Sequence, residues 1–264
     1  RTSEYWRCHW SCRQYRLASG GCRQNSSANR LFMSTAEVVN RENRRVSRIR
    51  PFLYVAGLAG IAPGVLSRFG TVINLIPGFR LRAPAKLNVY HIAIEDDERV
   101  DLAPFWTTVF KAIDEERKRR GKLLLLCGMG ISRSAAFAIG YLMCIEKLTL
   151  HDAYKHVQQC RSVVCPNVGF FRQLIELEEK MFHRRTVRMI EPVRGVVVAD
   201  VVWNELYDEM METATEEERH ALRSSRREAA GSSSTGVSRA PTEDSLSICV
   251  TDIDRLSLRS SLHE

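Results

Sequence analysis

The sequence predicts a compact α/β domain, and three observations predict it. Short, strongly apolar segments bounded by Gly or Pro read as strands. Elsewhere apolar residues recur every three to four positions, the spacing of a helix that buries one face. Four consecutive leucines, Leu123–Leu126, have the character of a strand buried on both sides of a sheet. With 264 residues, 44% hydrophobic and 27% charged, the chain has material for one sizeable core and flanking tails.

Residues 1–45 are expected to be unstructured or non-native. The first 32 mix Arg, Cys, Trp and Ser without a sustained period, and the first methionine is Met33. Translated upstream sequence explains this composition best; an organellar presequence would share the arginine bias but would want an amphipathic helix that cannot be drawn here. A single domain is expected over 46–205. Phe52–Val55, Thr71–Leu75 and Leu87–Ile94 read as strands. Leu102, Phe105, Trp106, Val109, Phe110 and Ile113 then fall on one helical face, and the helix should run to Arg120 and stop at Gly121. Its basic last turn, Arg117–Arg120, is what the helix dipole favours and needs no nucleic-acid partner. After the leucine strand come helices over Ser134–Lys147, Leu150–Cys160 and Asn167–Phe182, the last with Asn167 as its cap. Residues 213–264 are Ser-rich and aperiodic, and are expected to form a disordered tail.

Composition excludes several functions. No apolar run approaches the ~18 residues of a membrane span. The net charge is +8, but residues 1–32 carry six arginines against one acid, so the bulk of the chain is only mildly basic and argues against a nucleic-acid ligand. The eight cysteines show no C-x-x-C pair and no zinc spacing with His, which predicts no metal site and reduced, intracellular thiols.

Chemistry concentrates in LLLLCGMGISRS, residues 123–134. A buried strand delivers Cys127 to a loop of Gly128, Met129, Gly130, Ile131 and Ser132, and Arg133 opens a helix. Successive amides in such a loop point inward as an anion nest, and the helix N-terminus adds its positive end. Arg133 supplies a fork for two phosphate oxygens. The same field favours a thiolate at Cys127, so one loop would both bind phosphate and activate a nucleophile. A lone cysteine here would read as a packed thiol, but C-x-x-G-x-S-R-S should arise by chance in only about one in ten thousand chains of this length.

These residues resemble the signature of the protein tyrosine phosphatase superfamily, Cys followed by Arg six positions on. The match is closer to the dual-specificity phosphatases, particularly the small atypical members. It includes PFLYVAG from 51, VIN at 72–74, AIGYLM at 138–143 and PNVGFFRQL at 166–174, and continues into RTVRMIEPVRGVVVAD at 185–200, which looks like a strand-forming extension. The resemblance implies a central, mostly parallel sheet flanked by helices, with the Cys-x5-Arg phosphate-binding loop at the C-terminal edge of the strands. It implies hydrolysis of phosphotyrosine and phosphoserine or phosphothreonine through a phosphocysteine, with Cys127 as nucleophile, residues 128–133 as the phosphate cradle, Ser134 assisting release of the thiolate, and no cofactor. The family pattern places a general acid at Asp96, with Asp97 the adjacent rival; the bland alternative for Glu95–Asp101 is a solvated acidic loop. Asn74 matches a family asparagine and is expected to support the phosphate loop. Phosphorylated proteins are the implied partners, with kinases among the candidates, in the cytoplasm or nucleus; a mitochondrial location rests only on the N-terminal bias. Oligomeric state is left open.

One residue departs from the family pattern. Leu126 stands where the family has His, so a hydrogen-bonding group beside the thiolate is replaced by packing. That motivates a second reading, a weakly active or inactive phosphoprotein-binding module. An RNA 5′-phosphatase is disfavoured by the charge balance.

Overall fold

The computed structural model describes residues 40–213 apart from 63 and 194. These fall into two compact units, 40–186 and 187–213, each taken by itself. The expected single domain over 46–205 therefore spans both. Of the segment expected to be unstructured, residues 40–45 are described: 40–43 are helical and Glu42 is buried. Residues 1–39, and the tail beyond 213, lie outside the described residues.

The larger unit is built on five strands, β1 (Val46–Arg48), β2 (Leu53–Gly57), β3 (Thr71–Asn74), β4 (Asn88–His91) and β5 (Leu123–Cys127), in the order β1-β2-β5-β3-β4. Only β1 runs antiparallel to its neighbour; every other pair is parallel. The leucine strand β5 occupies the centre, and all five of its residues are buried. Four helices follow the predicted segments: α1 (Ala103–Lys118), α2 (Arg133–Glu146), α3 (Leu150–Cys160) and α4 (Val168–Phe182).

Alternation along the strands assigns the two faces. Thr71 points toward α1, where its hydroxyl donates to buried Glu116 at 2.9 Å. On that side Trp106 and Phe110 of α1 stack on Phe137 and Tyr141 of α2. The other face is an apolar cluster of Tyr54, Ala56, Leu66, Phe69, Val72, Leu124 and Leu126, and it draws no residue from α1–α4. The connections after β2 and β3 close it with Ile61, Val65, Ile76, Leu81 and Leu87. The basic end of α1 is partly neutralised by its own helix, through Arg117–Asp114 at 3.2 Å and Arg119–Glu116 at 3.8 Å.

Burying a carboxylate is costly unless donors surround it, and Glu178 meets that condition. It is fully buried and accepts from Leu150 N at 2.7 Å, Thr186 N at 2.7 Å and Thr186 Oγ1 at 2.6 Å, so it joins α4 to the start of α3. Glu178→Ala strands the buried Leu150 N–H and the half-buried Thr186 N–H and should cost about 2–4 kcal/mol, read as a lower urea midpoint at unchanged slope.

In the smaller unit, β6 (Met189–Val193) and β7 (Val196–Ala199) form an antiparallel hairpin followed by α5 (Asp200–Thr213). The register shifts between Ile190 and Val193, the stretch that contains Pro192, which cannot donate to a ladder. The strand-forming reading of 185–200 thus corresponds to a hairpin, whereas helix α5 was not anticipated.

Candidate active site

Strand β5 ends at Cys127, and the chain turns through 128–132 into α2 at the C-terminal edge of the sheet. The turn is tight because β2 runs directly beneath it. Leu58 N donates to Gly128 O at 2.9 Å, and a Cβ at Gly57 would stand 2.7 Å from the Met129 carbonyl carbon. Gly130 has φ +68°, and a Cβ there would meet the Ala56 carbonyl carbon at 2.6 Å. Glycine is required at both positions.

The nucleophile candidate Cys127 is 1% exposed. Gly130 N donates to its Sγ at 3.1 Å, and Ser134 Oγ lies 3.1 Å away on the first turn of α2. Arg133 Nη1 donates to Ile94 O at 3.0 Å and more weakly to Leu75 O at 3.4 Å, which locks the guanidinium between the ends of the β3 and β4 connections. Its Nε is buried and has no hydrogen bond among the described residues. That donor can hydrogen-bond to an incoming anion.

The two acidic candidates separate clearly. Asp96 reaches the phosphate loop: Ser132 Oγ donates to its Oδ1 at 2.6 Å, Asn167 Nδ2 donates to the same oxygen at 2.9 Å, and Oδ2 lies 3.7 Å from Arg133 Nε. Asp97 instead turns to its own neighbour Arg99, accepting from the guanidinium at 2.8 Å and from the backbone N–H at 2.9 Å. Those Arg99 hydrogen bonds hold the Asp97 carboxyl far below the usual carboxylate range.

Ser132 and Asn167 each do more than the sequence reading allowed. Ser132 precedes α2 but does not cap it with its side chain, because its hydroxyl is committed to Asp96 and accepts from Asn167 N at 3.1 Å. Asn167 does cap α4, accepting from Phe170 N at 2.9 Å, while its amide nitrogen holds Asp96. The acid loop also packs tightly on α4, where a Cβ at Gly169 would overlap the Glu98 carbonyl at 1.9 Å. The sequence signal for this contact was present in PNVGFFRQL, but cap and acid holder look alike in one dimension.

Asn74 differs from expectation. Its side chain donates to Phe79 O at 2.7 Å, accepts from Ile76 N at 3.1 Å and meets His91 Nδ1 at 3.1 Å. It organises the turn after β3, not the phosphate loop, because it stands in register with Leu126, whose side chain points away from the thiol. Leu126 is fully buried in the apolar cluster, and the thiol draws its contacts from Gly130 and Ser134 instead. Leu126→His should therefore set an imidazole among Tyr54, Phe69 and Val72 and lower stability by about 1–3 kcal/mol. Melting temperature should fall, while the pH profile of Cys127 alkylation in the folded variant should stay that of the parent.

Residues 52–180 match the family described as dual specificity phosphatase, catalytic domain. Bovine dual specificity protein phosphatase 18 is 32% identical over 155 residues, covering 58% of this chain and 82% of that protein. The chain belongs to the dual-specificity phosphatase family. Within that family, human dual specificity protein phosphatase 14 is 36% identical over 106 residues, which is 40% of this chain and 54% of its relative. The uncharacterized protein ZK757.2 of Caenorhabditis elegans is 54% identical over 192 residues, spanning 73% of this chain and 65% of the worm protein. Among solved structures, human DUSP28 is 30% identical and aligns over 52% of this chain and 97% of its own, with a TM-score of 0.48. The family match ends at residue 180, before the hairpin unit begins.

Proposed function

We propose that this chain is a cysteine-dependent protein phosphatase acting on phosphotyrosine and on phosphoserine or phosphothreonine. The observation that carries the reading is the convergence of Cys127, Arg133, Asp96 and Ser134 on one loop, from two separate stretches of the sheet edge. The reaction follows from this arrangement in two displacements. The Cys127 thiolate attacks phosphorus in line; the S–P bond forms as the P–O bond to the substrate breaks, and Asp96 transfers its proton to the departing oxygen. Loop amides and the Arg133 fork hold the equatorial oxygens, over which charge is spread in the transition state. Water then attacks phosphorus, gives its proton to the Asp96 carboxylate, and displaces the thiolate. Ser134 Oγ, in contact with Sγ, stabilises the thiolate as it departs.

Phosphoproteins are the proposed substrates and partners, and the reducing cytoplasm or nucleus the proposed location, since the chemistry needs Cys127 as a free thiol. The test is release of inorganic phosphate from phosphotyrosyl and phosphothreonyl peptides by the full chain. Turnover of both classes supports the reading. Saturable binding of such peptides without turnover would replace it with the phosphoprotein-binding one.

A further inference from the structure

Beneath the phosphate loop lies a second guanidinium that the reaction described above does not use. Arg161, which directly follows α3, is fully buried. Its fork is divided between two parts of the chain. On one side Nε donates to Gly130 O at 2.6 Å and Nη2 to Met129 O at 2.8 Å. On the other, Nη1 donates to Glu42 O at 2.8 Å, Arg45 O at 3.1 Å and Ser47 Oγ at 3.3 Å. Burial pushes the guanidinium pKa down, opposed by the charges of Glu42 and Cys127.

The geometry has a direct consequence for the amides. In a trans peptide the C=O and the following N–H point in opposite directions. A Met129 carbonyl drawn down to Arg161 turns the Gly130 N–H upward, and it is this N–H that donates to Cys127 Sγ at 3.1 Å. A Gly130 carbonyl drawn down in the same way turns the Ile131 N–H toward the cradle. Without Arg161 those two carbonyls would be buried acceptors lacking their donor, and either peptide could relieve the loss by rotating.

We propose that Arg161 is a positioning residue of the phosphatase reaction, a strut spanning residues 42–47 and the phosphate loop that fixes the Gly130 and Ile131 amides toward Cys127 and the bound phosphoryl group. The inference rests on the phosphatase reading and extends it to a residue outside the signature. It also gives the 42–47 segment, expected from sequence to be largely outside the domain, a part in the site.

The test uses the full chain carrying Arg161→Lys, which keeps a buried cation but can reach only one of the paired carbonyls. Thermal melting, kcat and KM for an aryl phosphate, and the affinity for orthovanadate, a mimic of the five-coordinate state, are measured together. The strut predicts that kcat falls by about 10–100-fold while KM moves less than about threefold, and that vanadate binding weakens in proportion to kcat/KM. A variant with a lower melting temperature but parental kcat and vanadate affinity below that temperature would overturn the proposal, leaving Arg161 as structural only. If the lysine variant does not fold, Ser47→Ala carries the test by removing a single acceptor of Nη1. There kcat and vanadate affinity must fall together by about two- to fivefold, and unchanged values of both reject the strut. Vanadate binding followed by thermal shift needs no turnover, so it judges Arg161 separately from failure of the phosphatase reading.

Discussion

Cys127→Ser should reduce kcat/KM toward aryl phosphates and phosphopeptides by at least about 10,000-fold, equivalent to about 5.5 kcal/mol of barrier. Every other part of the site would remain: the loop amides, Arg133 and the Ser134 contact do not depend on sulfur for their placement. What disappears is the thiol nucleophile, and a serine hydroxyl in its place has no general base beside it in this loop. Among the described contacts the thiol meets Ser134 Oγ and Gly130 N, neither of which can accept a proton from a hydroxyl at the moment of attack. Phosphopeptide binding should persist in the variant within about threefold, because the cradle that holds the phosphate is intact. Residual turnover above about one thousandth of the parent would mean that another residue is the nucleophile. Arg133→Lys tests the same site from the anion side. It should lose about 100–1,000-fold, since a point charge cannot reproduce the fork that Ile94 and Leu75 hold in place.

How much of this was legible beforehand depended on whether the signal was local. The leucine strand, the α1 stripe, the α3 bounds and the Asn167 cap were written in adjacent residues, and the structure places each within a residue or two of the reading. The Cys127 loop was legible for the same reason, because nucleophile, amides and guanidinium sit on consecutive positions. Interactions that bring distant segments together were not. Strand β1 is three residues long and has no alternation to detect; it exists because Val46–Arg48 can pair with β2. Arg161, at the end of an amphipathic helix, carries no local mark of its place, yet it is buried and bonded to segments at 42–47 and 129–130. Asn74 misled in the opposite sense. Its position beside the site suggested support for the phosphate loop, but strand alternation sends its side chain to the turn at 76–79. At Leu126, too, alternation separates the side chain from the thiol it precedes.

Asp96→Asn and Asp97→Asn differ by one position and should differ by two orders of magnitude in effect. The asparagine at 96 keeps an oxygen for Ser132 and Asn167, so the acid loop should stay docked and the loss should be chemical. For a substrate with a basic leaving oxygen, such as an alkyl phosphate or a phosphoserine peptide, kcat should fall by about 100-fold. For a nitrophenyl phosphate, whose leaving group departs without a proton, the fall should be less than about threefold. Asp97→Asn removes an exposed pairing with Arg99, an interaction of the kind that contributes little, and should leave both substrate classes within about threefold of the parent. The comparison separates proton donation from damage to the loop: a collapsed acid loop would depress both substrates alike in either variant. A leaving-group dependence that follows Asp97 and spares Asp96 would show that the acid loop docks one residue out of the register seen here, with Asn167 and Ser132 holding the wrong carboxylate.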